Sequence, residues 1–546
     1  MEQYQSYRPS GRSRSEGPRF RAIVIALAFI VAAGVAIFVF YKILKKDIVI
    51  IPASVTYDSS LTDAEKSKLE QIFSSKRLAH DVKVSAESIT KYTDPISMCA
   101  TNSAGDSWQQ EEDDCRNSTL LLDIQLPTTN FYNSTLDITS SKAKELPVLS
   151  LDEAKRQKED SIYLLSIRDL SPELRVFSID NEYALDYLSR TDNQNLEYQG
   201  AIFRVLHLES ENTKEAHDII AESLTPLPDN KTLLSVRQTG VTALARKMLN
   251  KLNQVGNGAY FAEKIADYLK SADYTHISNE VSFANDCTNS SSTALCSSPK
   301  MFETIQAIGT DIVELTGNHN NDWGAANNIA SIEKYHENGM QTFGGGINED
   351  QAAVPLSISS KGSKITLIGI NESTSTRANG QGASANHPGA NIYNETLVRE
   401  QIKEAKERGD TVIVDIQYFE CYCYPDEGQE MPECDYPING QKEFFRSIID
   451  MGADIILGTQ AHQPQTFEIY KGKFIYYGTG NLFFDQTYWP GTERSIVFSH
   501  YFYNGKLLQT RLSPTVYDLS YQPHLMDTTD AEQFIARLVK ASSRGE

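Results

Sequence analysis

The chain has 546 residues, of which 40% are hydrophobic and 23% are charged, and its formal net charge is −21 at pH 7. This length is too great for a single hydrophobic core and predicts about three folded units. The first 46 residues carry eight Lys or Arg and two Glu, so the acidic excess lies in the rest of the chain. An acidic body without a basic stripe excludes nucleic acid as a partner.

The N-terminal segment predicts a membrane anchor. Residues 1–21, rich in Arg, Ser, Gly and Pro, are predicted to be a disordered cytoplasmic tail, and residues 22–41 a transmembrane helix. A cleaved signal peptide is the alternative, but it has a shorter apolar region and a small-residue cleavage site, whereas Tyr41 and Lys42 follow here. The distribution of basic residues predicts a single-pass protein of the cell membrane, with a cytoplasmic N-terminus and an extracytoplasmic body.

The seven cysteines suit an extracytoplasmic location. Two pairs, Cys99 with Cys115 and Cys287 with Cys296, each bracket a polar stretch that a disulfide would close. Cys421, Cys423 and Cys434 predict one further pair and one remaining thiol. A zinc site is the rival interpretation, but the spacing lacks the usual C-x2-C pattern.

Residues 47–225 predict a membrane-proximal α/β domain. Its first strand is predicted within residues 47–58, a helix over 62–77 begins after Thr62 as N-cap, and short buried strands lie within 161–170 and 174–180. The Pro-containing segment 224–230 predicts the main domain boundary.

Beyond residue 230, apolar strands alternate with amphipathic helices, which indicates a layered α/β domain over 230–520, followed by a C-terminal helix or tail over 521–546. The predicted strands are 233–236, 311–316, 365–370, 411–417, 454–459 and 473–480, and the predicted helices are 258–270, 324–339, 394–408 and 440–451.

Several of these strands end in polar side chains, and such ends form sites in layered α/β domains. The residues concerned are Asn279, Glu280, Asn318, His319, Asp322, Gln460, His462, Asn481 and Asp485. Glu, Asn and His at one sheet edge are residue types that bind Zn, Mn or Fe.

Simpler interpretations of the same residues stay open. Asp322 can be the N-cap of a helix that begins near Gly324, His462 can be a core histidine, and Glu280 can pair with Arg246. The remaining histidines His276, His387 and His500 are predicted to be surface or packing residues.

Two long segments resemble the CapA-type capsule and poly-γ-glutamate synthesis proteins. They read "GTDIVELTGNHNNDWGAANNIASIEKYHENGMQTFGGG" and "MGADIILGTQAHQPQTFEIYKGKFIYYGTGNLFFD". The resemblance implies a calcineurin-like metallophosphatase fold, in which sheets and helices form four layers. It also implies a role in making, attaching or trimming an anionic cell-surface polymer, together with other polymer-synthesis membrane proteins.

The sequence departs from that family at several ligand positions. Gly240 stands where the family has an Asp, Gln417 begins the segment that corresponds to His-Trp-Gly, and Gln460 replaces a His. The family residues that remain are Glu280, Asn318, His319, His462 and Arg246.

Two hypotheses follow from the resemblance. In the first, Glu280, His319 and His462 hold a divalent metal (Mn, Fe or Zn), Asn318 orients the substrate or a water, and Arg246 binds an anionic group during hydrolysis or transfer. In the second, the site is degenerate and holds no metal, and the chain is a non-catalytic polymer-binding or assembly subunit.

Overall fold

The computed structural model describes residues 54–76, 78–90, 118–158, 160–190, 200–288, 293–372, 376, 379–421, 432–438 and 440–542. The predicted cytoplasmic tail and transmembrane helix lie outside these residues, as do Cys99, Cys115 and Cys423. Within the described ranges, no helix is both long and apolar enough to cross a bilayer.

The described residues between 54 and 223, here called the N-terminal domain, form a mixed sheet with the strand order β1-β2-β8-β3-β5 and β6 beside β3. The strands are β1 (Val55–Tyr57), β2 (Val82–Ile89), β3 (Thr119–Asn130), β4 (Asp137–Ile138), β5 (Tyr163–Ser166), β6 (Leu174–Val176), β7 (Ser178–Ile179) and β8 (Ile202–Ser210). The helices are α1 (Asp63–Ser74), α2 (Ser140–Lys144), α3 (Leu151–Ala154), α4 (Ala184–Ser189) and α5 (Thr213–Ser223).

Helix α1 shows how local sequence determines an element of this domain. Thr62 accepts a hydrogen bond from the Glu65 amide, and the Glu65 carboxylate accepts one from the Thr62 amide, which makes a capping box. Leu69 and Phe73 then face the sheet and pack in a cluster with Ile220 of α5. The helix predicted over 62–77 is therefore confirmed, with its end at Ser74.

The described residues from 233 to 542, here called the C-terminal domain, contain two larger sheets. One has the order β13-β12-β11-β9-β23-β24-β25, and the other has the order β15-β16-β18-β19-β21-β20. The strands are β9 (Leu233–Gln238), β10 (Val241–Thr242), β11 (Tyr274–Asn279), β12 (Ile312–Glu314), β13 (Gln341–Phe343), β14 (Gly345–Gly346), β15 (Leu356–Ser360), β16 (Ser363–Asn371), β17 (Gly389–Ala390), β18 (Thr411–Gln417), β19 (Ile455–Thr459), β20 (Phe467–Tyr470), β21 (Lys473–Tyr476), β22 (Asn481–Phe483), β23 (Arg494–Tyr503), β24 (Lys506–Val516) and β25 (His524–Leu525). The helices are α6 (Lys247–Val255), α7 (Ala266–Leu269), α8 (Phe302–Ala307), α9 (Ala325–Glu337), α10 (Glu349–Ala352), α11 (Glu395–Glu407), α12 (Gln441–Met451) and α13 (Thr528–Ser542).

Hydrophobic clusters show that these two sheets face each other between outer helices. Val236 of the first sheet and Ile413 of the second share one buried cluster. On the outer face of the first sheet, Leu249 of α6 and Ile332 of α9 pack against Ile277. A third cluster covers the outer face of the second sheet with α11 and α12. The C-terminal domain is therefore a layered, mixed α/β structure.

The structure modifies one sequence prediction and confirms another. The helix predicted over 258–270 is a 3-10 turn, Gly258–Ala262, followed by the short helix α7. The disulfide Cys287–Cys296 is present as predicted, and among the three later cysteines Cys421 pairs with Cys434.

The N-terminal and C-terminal domains share a buried contact. Asp186 of α4 accepts hydrogen bonds at 2.6 Å from Arg237 of β9 and from the Tyr501 hydroxyl of β23, and it also forms an ion pair with Arg511 of β24. Leu185 lies in the same cluster as Leu233 of the C-terminal domain. This junction joins the two domains through both a charge network and apolar packing.

Candidate functional site

The carboxyl ends of strands from both large sheets converge on one group of polar side chains. Glu280 follows β11, Asn318 follows β12, Gln417 ends β18 and Gln460 follows β19. The close approach depends on Gly317, because a Cβ there would lie 2.7 Å from the Cα of Glu280. The predicted meeting of polar residues at one sheet edge is therefore present in the structure.

The Gln417 side-chain amide lies at the centre of this group. Its Nε2 donates to Glu280 Oε1 at 3.2 Å, to Asn318 Oδ1 at 3.0 Å and to Gln460 Oε1. Its Oε1 accepts from Asn371 Nδ2 at 3.0 Å. One amide nitrogen thus occupies the space between three oxygen acceptors.

Gln460 extends the network toward solvent. Its Nε2 donates to Glu420 Oε1 at 3.0 Å, and Glu420 is exposed. The backbone of Gln460 has φ +77°, a left-handed conformation that is costly for a residue with a Cβ and is typical of functional segments. The surrounding contacts therefore hold this amide in a defined position.

Glu280 is the charged member of this buried group. It is 1% exposed, and its Oε2 has no hydrogen-bond partner among the described residues. Burial raises the pKa of Glu280 to about 7; the charge of His319 opposes this rise, and the neighbouring carboxylates of Glu420 and Glu314 support it. Glu280 therefore changes its protonation near neutral pH.

His319 and Asp322 form a pair at the mouth of the site. His319 Nδ1 lies 2.6 Å from Asp322 Oδ2, and Asp322 also accepts from the Leu295 amide at 2.8 Å and from Gln381 Nε2 at 2.7 Å. Burial opposes the charged imidazole, but Asp322 and Glu280 outweigh it and raise the pKa of His319. The interpretation of Asp322 as a helix N-cap is wrong, because Gly324 is the N-cap of α9.

His462 is more deeply buried than His319, and its pKa is shifted in the opposite direction. Its Nδ1 is 2.9 Å from Asn481 Oδ1, and its ring centroid is 5.3 Å from that of Phe484. Burial lowers the pKa of His462 to about 4, although the hydrogen bond to Asn481 acts in the opposite direction. His462 is therefore neutral at pH 7, with Asn481 fixing the orientation of its ring.

Arg246 is held by Asp485 and not by Glu280, so the predicted pairing with Glu280 is wrong. Its Nε lies 2.9 Å from Asp485 Oδ1, and its guanidinium lies 4.6 Å from the centroid of Phe484. Asp485 also accepts from the Lys247 amide at 3.2 Å. The local sequence does not show this pairing, because Asp485 lies 239 residues further along the chain.

The arrangement of these side chains does not fit a divalent metal. In the described part of the chain, no group of three or more His, Cys, Asp or Glu side chains is placed to hold one. Glu280, Asn318 and Gln460 direct their oxygens at amide hydrogens, and a Cβ at Gly240 would lie 2.2 Å from the Gly480 carbonyl, so no side-chain ligand fits there. We derive no step through a metal, and the metal set Glu280, His319 and His462 stays a prediction.

A second polar group lies beneath the site and was not predicted. His276 of β11 and Asp415 of β18 approach to 3.0 Å, an ion-pair distance without hydrogen-bond geometry, and Gln238 Nε2 donates to Asp415 at 3.1 Å. His500 is also fully buried, beside Thr510 Oγ1 at 2.9 Å. His276 and His500 were predicted to be surface or packing residues, and the structure shows both of them buried as packing residues. The sequence pattern that could have predicted this group is a His within an otherwise buried strand.

The chain is similar to known proteins. A family model described as "Bacterial capsule synthesis protein PGA_cap" matches residues 236–486. The "Capsule biosynthesis protein CapA" of Bacillus anthracis is 23% identical over 321 residues, which are 57% of this chain and 74% of that protein. The "PGA biosynthesis protein CapA" of Bacillus subtilis (strain 168) is 24% identical over 241 residues, which are 44% of this chain and 60% of that protein.

A solved structure, that of TT1561 of Thermus thermophilus, covers 54% of this chain and 100% of its own, at 12% identity and a TM-score of 0.27. The segment that the family model matches, residues 236–486, contains the converging strand ends, from Glu280 to Asp485. Residues 236–486, a little under half of the chain, therefore form a domain of the CapA-type family of bacterial capsule synthesis proteins.

Proposed function

We propose that this chain takes part in the biosynthesis of an anionic cell-surface polymer, of the capsule or poly-γ-glutamate type, as a binding or assembly subunit. The matched relatives are named for capsule and PGA biosynthesis, which supports the polymer class. In this proposal the strand-end site binds through hydrogen bonds, without a metal, and other polymer-synthesis membrane proteins act on the polymer.

One observation carries the choice of a binding subunit. The Gln417 amide nitrogen, which bears two hydrogens, lies among the oxygens of Glu280, Asn318 and Gln460. A metal ion at this point would need those oxygens for itself, and a neutral glutamine binds a divalent cation more weakly than an imidazole or a carboxylate does. The Gln417 amide and its hydrogen bonds thus occupy the space between these three oxygens.

The His319–Asp322 pair favours a second candidate function, hydrolysis at this site. An imidazole held by a carboxylate and partly open to solvent is suited to move a proton during bond cleavage. His319 Nδ1 is fixed by Asp322, so Nε2 is the atom that would give its proton to the leaving group while a water molecule attacks, and that would then take up the proton released by the water. The metal-assisted form of this candidate requires a metal at the site, whereas the binding subunit does not, so metal analysis separates these two.

We expect the purified full-length chain to contain no stoichiometric Mn, Fe or Zn at this site. Elemental analysis of the wild type, of His319→Ala and of a matched surface variant, His207→Ala, tests this. All three proteins should have the same metal content, because the oxygens of the site are engaged by Gln417.

The contrary result is also well defined. About one metal per chain in the wild type and in His207→Ala, lost in His319→Ala, would contradict a site that binds through hydrogen bonds alone and would favour the metal-assisted hydrolase. Circular dichroism of each variant shows whether the fold is kept, so that metal loss through unfolding is recognised.

We also propose that residues 22–41 anchor the chain in the cell membrane with the body outside. The uncharged run of residues 22–40 and its basic flanks support this. The full-length chain should remain with membranes after alkaline extraction. The double variant Val31→Asp/Val35→Asp should not, because each charge at the centre of a spanning helix costs about 3 kcal/mol. The matched control Val31→Leu/Val35→Leu should behave as wild type, and a wild type in the soluble fraction would contradict the anchor.

A further inference from the structure

A cavity of about 110 Å³ lies at the junction of the N-terminal and C-terminal domains, lined by residues other than those of the strand-end site. Asp137, Arg175 and Tyr183 line it from the N-terminal domain, and Gln509 and Arg511 of β24 line it from the C-terminal domain. One water needs roughly 10–15 Å³ measured in this way, so the cavity has room for a small organic molecule.

Arg175 is a buried charge without a carboxylate partner. It is 4% exposed, and among the described residues it makes no ion pair. Its Nη1 donates to the Asn133 carbonyl at 2.6 Å, and its guanidinium lies 5.0 Å from the centroid of Phe131. Its Nη2 has no hydrogen-bond partner within the described ranges. An unpaired buried charge is strongly unfavourable, so a bound anion beside this guanidinium would stabilise the protein.

The neighbouring charges do not compensate Arg175. Arg511, which also lines the cavity, shares the single carboxylate of Asp186 with Arg237. Asp137 is the only acidic side chain among the described residues that line the cavity, and its Oδ1 accepts from the Asn181 amide at 2.7 Å. Asp186 also interacts with Arg190, and Asp180 and Glu532 lie near Asp137, but among the described residues no ion pair joins any of these carboxylates to Arg175. Water can supply hydrogen bonds to Arg175 but not a negative charge.

The cavity also offers an acceptor that requires a donor. Gln509 Nε2 donates to the carbonyls of Leu174 and Thr510, both at 3.0 Å, which fixes the orientation of the amide. Gln509 Oε1 then has no partner in the part of the chain that the structure describes, and neither does the hydroxyl of Tyr183. A ligand that pairs with both Gln509 Oε1 and the Arg175 guanidinium must donate a hydrogen bond and carry a negative charge.

We propose that this interdomain cavity binds a small carboxylate that also carries a hydrogen-bond donor, such as a hydroxy acid or an amino acid. The carboxylate contacts Arg175 and the Tyr183 hydroxyl, and the donor faces Gln509 Oε1 and Asp137. Because the two walls belong to different domains, the bound molecule also stabilises the domain junction. This site is independent of the function proposed for the strand-end site.

Calorimetric titration of the full-length chain with lactate, L-alanine, acetate and inorganic phosphate tests the proposal. Lactate or L-alanine should bind at least roughly tenfold more tightly than acetate, which lacks the donor, and at least as tightly as phosphate. Arg175→Met should weaken that binding by at least roughly tenfold, and Gln509→Met should abolish the preference over acetate. Arg399→Met, an exposed arginine on α11, is the matched control and should bind as wild type.

Arg175→Met removes an uncompensated charge, so its melting temperature without ligand should equal or exceed that of the wild type. Arg175→Lys keeps the charge without the planar fork and should also bind more weakly, which provides a second variant if the first does not fold. Three results would overturn the proposal: no binding of either donor-bearing carboxylate, tighter binding of phosphate, or unchanged binding by Arg175→Met and Arg175→Lys.

Discussion

Replacing Asp186 by Asn is expected to lower the free energy of unfolding by about 3–5 kcal/mol, the usual result of removing one partner from a buried ion pair. Asp186 is 6% exposed and Arg237 is 1% exposed, so neither charge can turn to water when the carboxylate is lost. Asparagine keeps the shape of the side chain and still accepts a hydrogen bond from Tyr501. The measured loss therefore reports the charge together with the hydrogen bond from Arg511 to Oδ2, which the asparagine amide nitrogen cannot accept.

The pH dependence of this loss has a definite sign. Burial alone would raise the pKa of Asp186, but Arg237 and Arg511 outweigh it and hold the pKa below its usual value. A carboxyl with a lowered pKa contributes stability above its unfolded-state pKa of about 3.9, and loses it as the pH falls through the folded-state pKa. The difference between wild type and Asp186→Asn should therefore stay constant from pH 8 to pH 5.

Denaturant titrations followed by circular dichroism and tyrosine fluorescence measure this effect. Asp267→Asn is the control, because Asp267 is exposed and its ion partner Lys270 is a neighbour on the same helical turn. Its unfolding midpoint should equal that of wild type. A midpoint for Asp186→Asn that is also unchanged would show that the two arginines do not depend on this carboxylate.

Much of the fold follows from local sequence. The strand predicted over 411–417 has the same bounds in the structure, because a run of β-branched apolar residues is buried on both faces between neighbouring parallel strands. The helix after Thr62 follows from its capping box. The two short helices at 258–269 do not follow, because their helical spacing is interrupted at Glu263, which no pattern of apolar residues reveals.

The candidate site was predictable in position but not in pairing. Polar strand ends indicate where side chains meet, since parallel strands end at a common edge. The choice of partner depends on residues that are distant in sequence. Arg246 pairs with Asp485, and His276 approaches Asp415 across the two facing sheets. A local pattern also favoured Asp322 as a cap, whereas the fold directs it to His319.

Replacing Glu280 by Gln is expected to stabilise the protein at pH 8. Burial raises the pKa of Glu280 from 4.5 to about 7, so the folded chain bears the cost of a buried charge above pH 7. At about 1.4 kcal/mol per pKa unit, this cost is roughly 3 kcal/mol. Glutamine keeps the acceptor for Gln417 Nε2, and its own amide replaces the unpartnered Oε2.

The Glu280 carboxyl should affect stability with the opposite pH dependence to the Asp186 carboxyl. A carboxyl whose pKa is raised on folding binds its proton more tightly in the folded state, so wild-type stability falls as the pH rises from about 4.5 to 7. The advantage of Glu280→Gln should therefore be largest at pH 8 and nearly absent at pH 4.5. Glu400→Gln, an exposed glutamate on α11, is the matched control and should show no such trend.

Denaturant midpoints of both variants at pH 4.5, 6 and 8 measure this dependence. A Glu280→Gln protein that is less stable than wild type at pH 8 would mean that the ionised carboxylate is needed in the folded state. The charged His319 is one partner that would need it, and a bound cation is another. That result would therefore count against the amide network as the reason for the stability of the site. Stabilisation at pH 8 supports the network, because a neutral side chain then satisfies Gln417 as well as the carboxylate does.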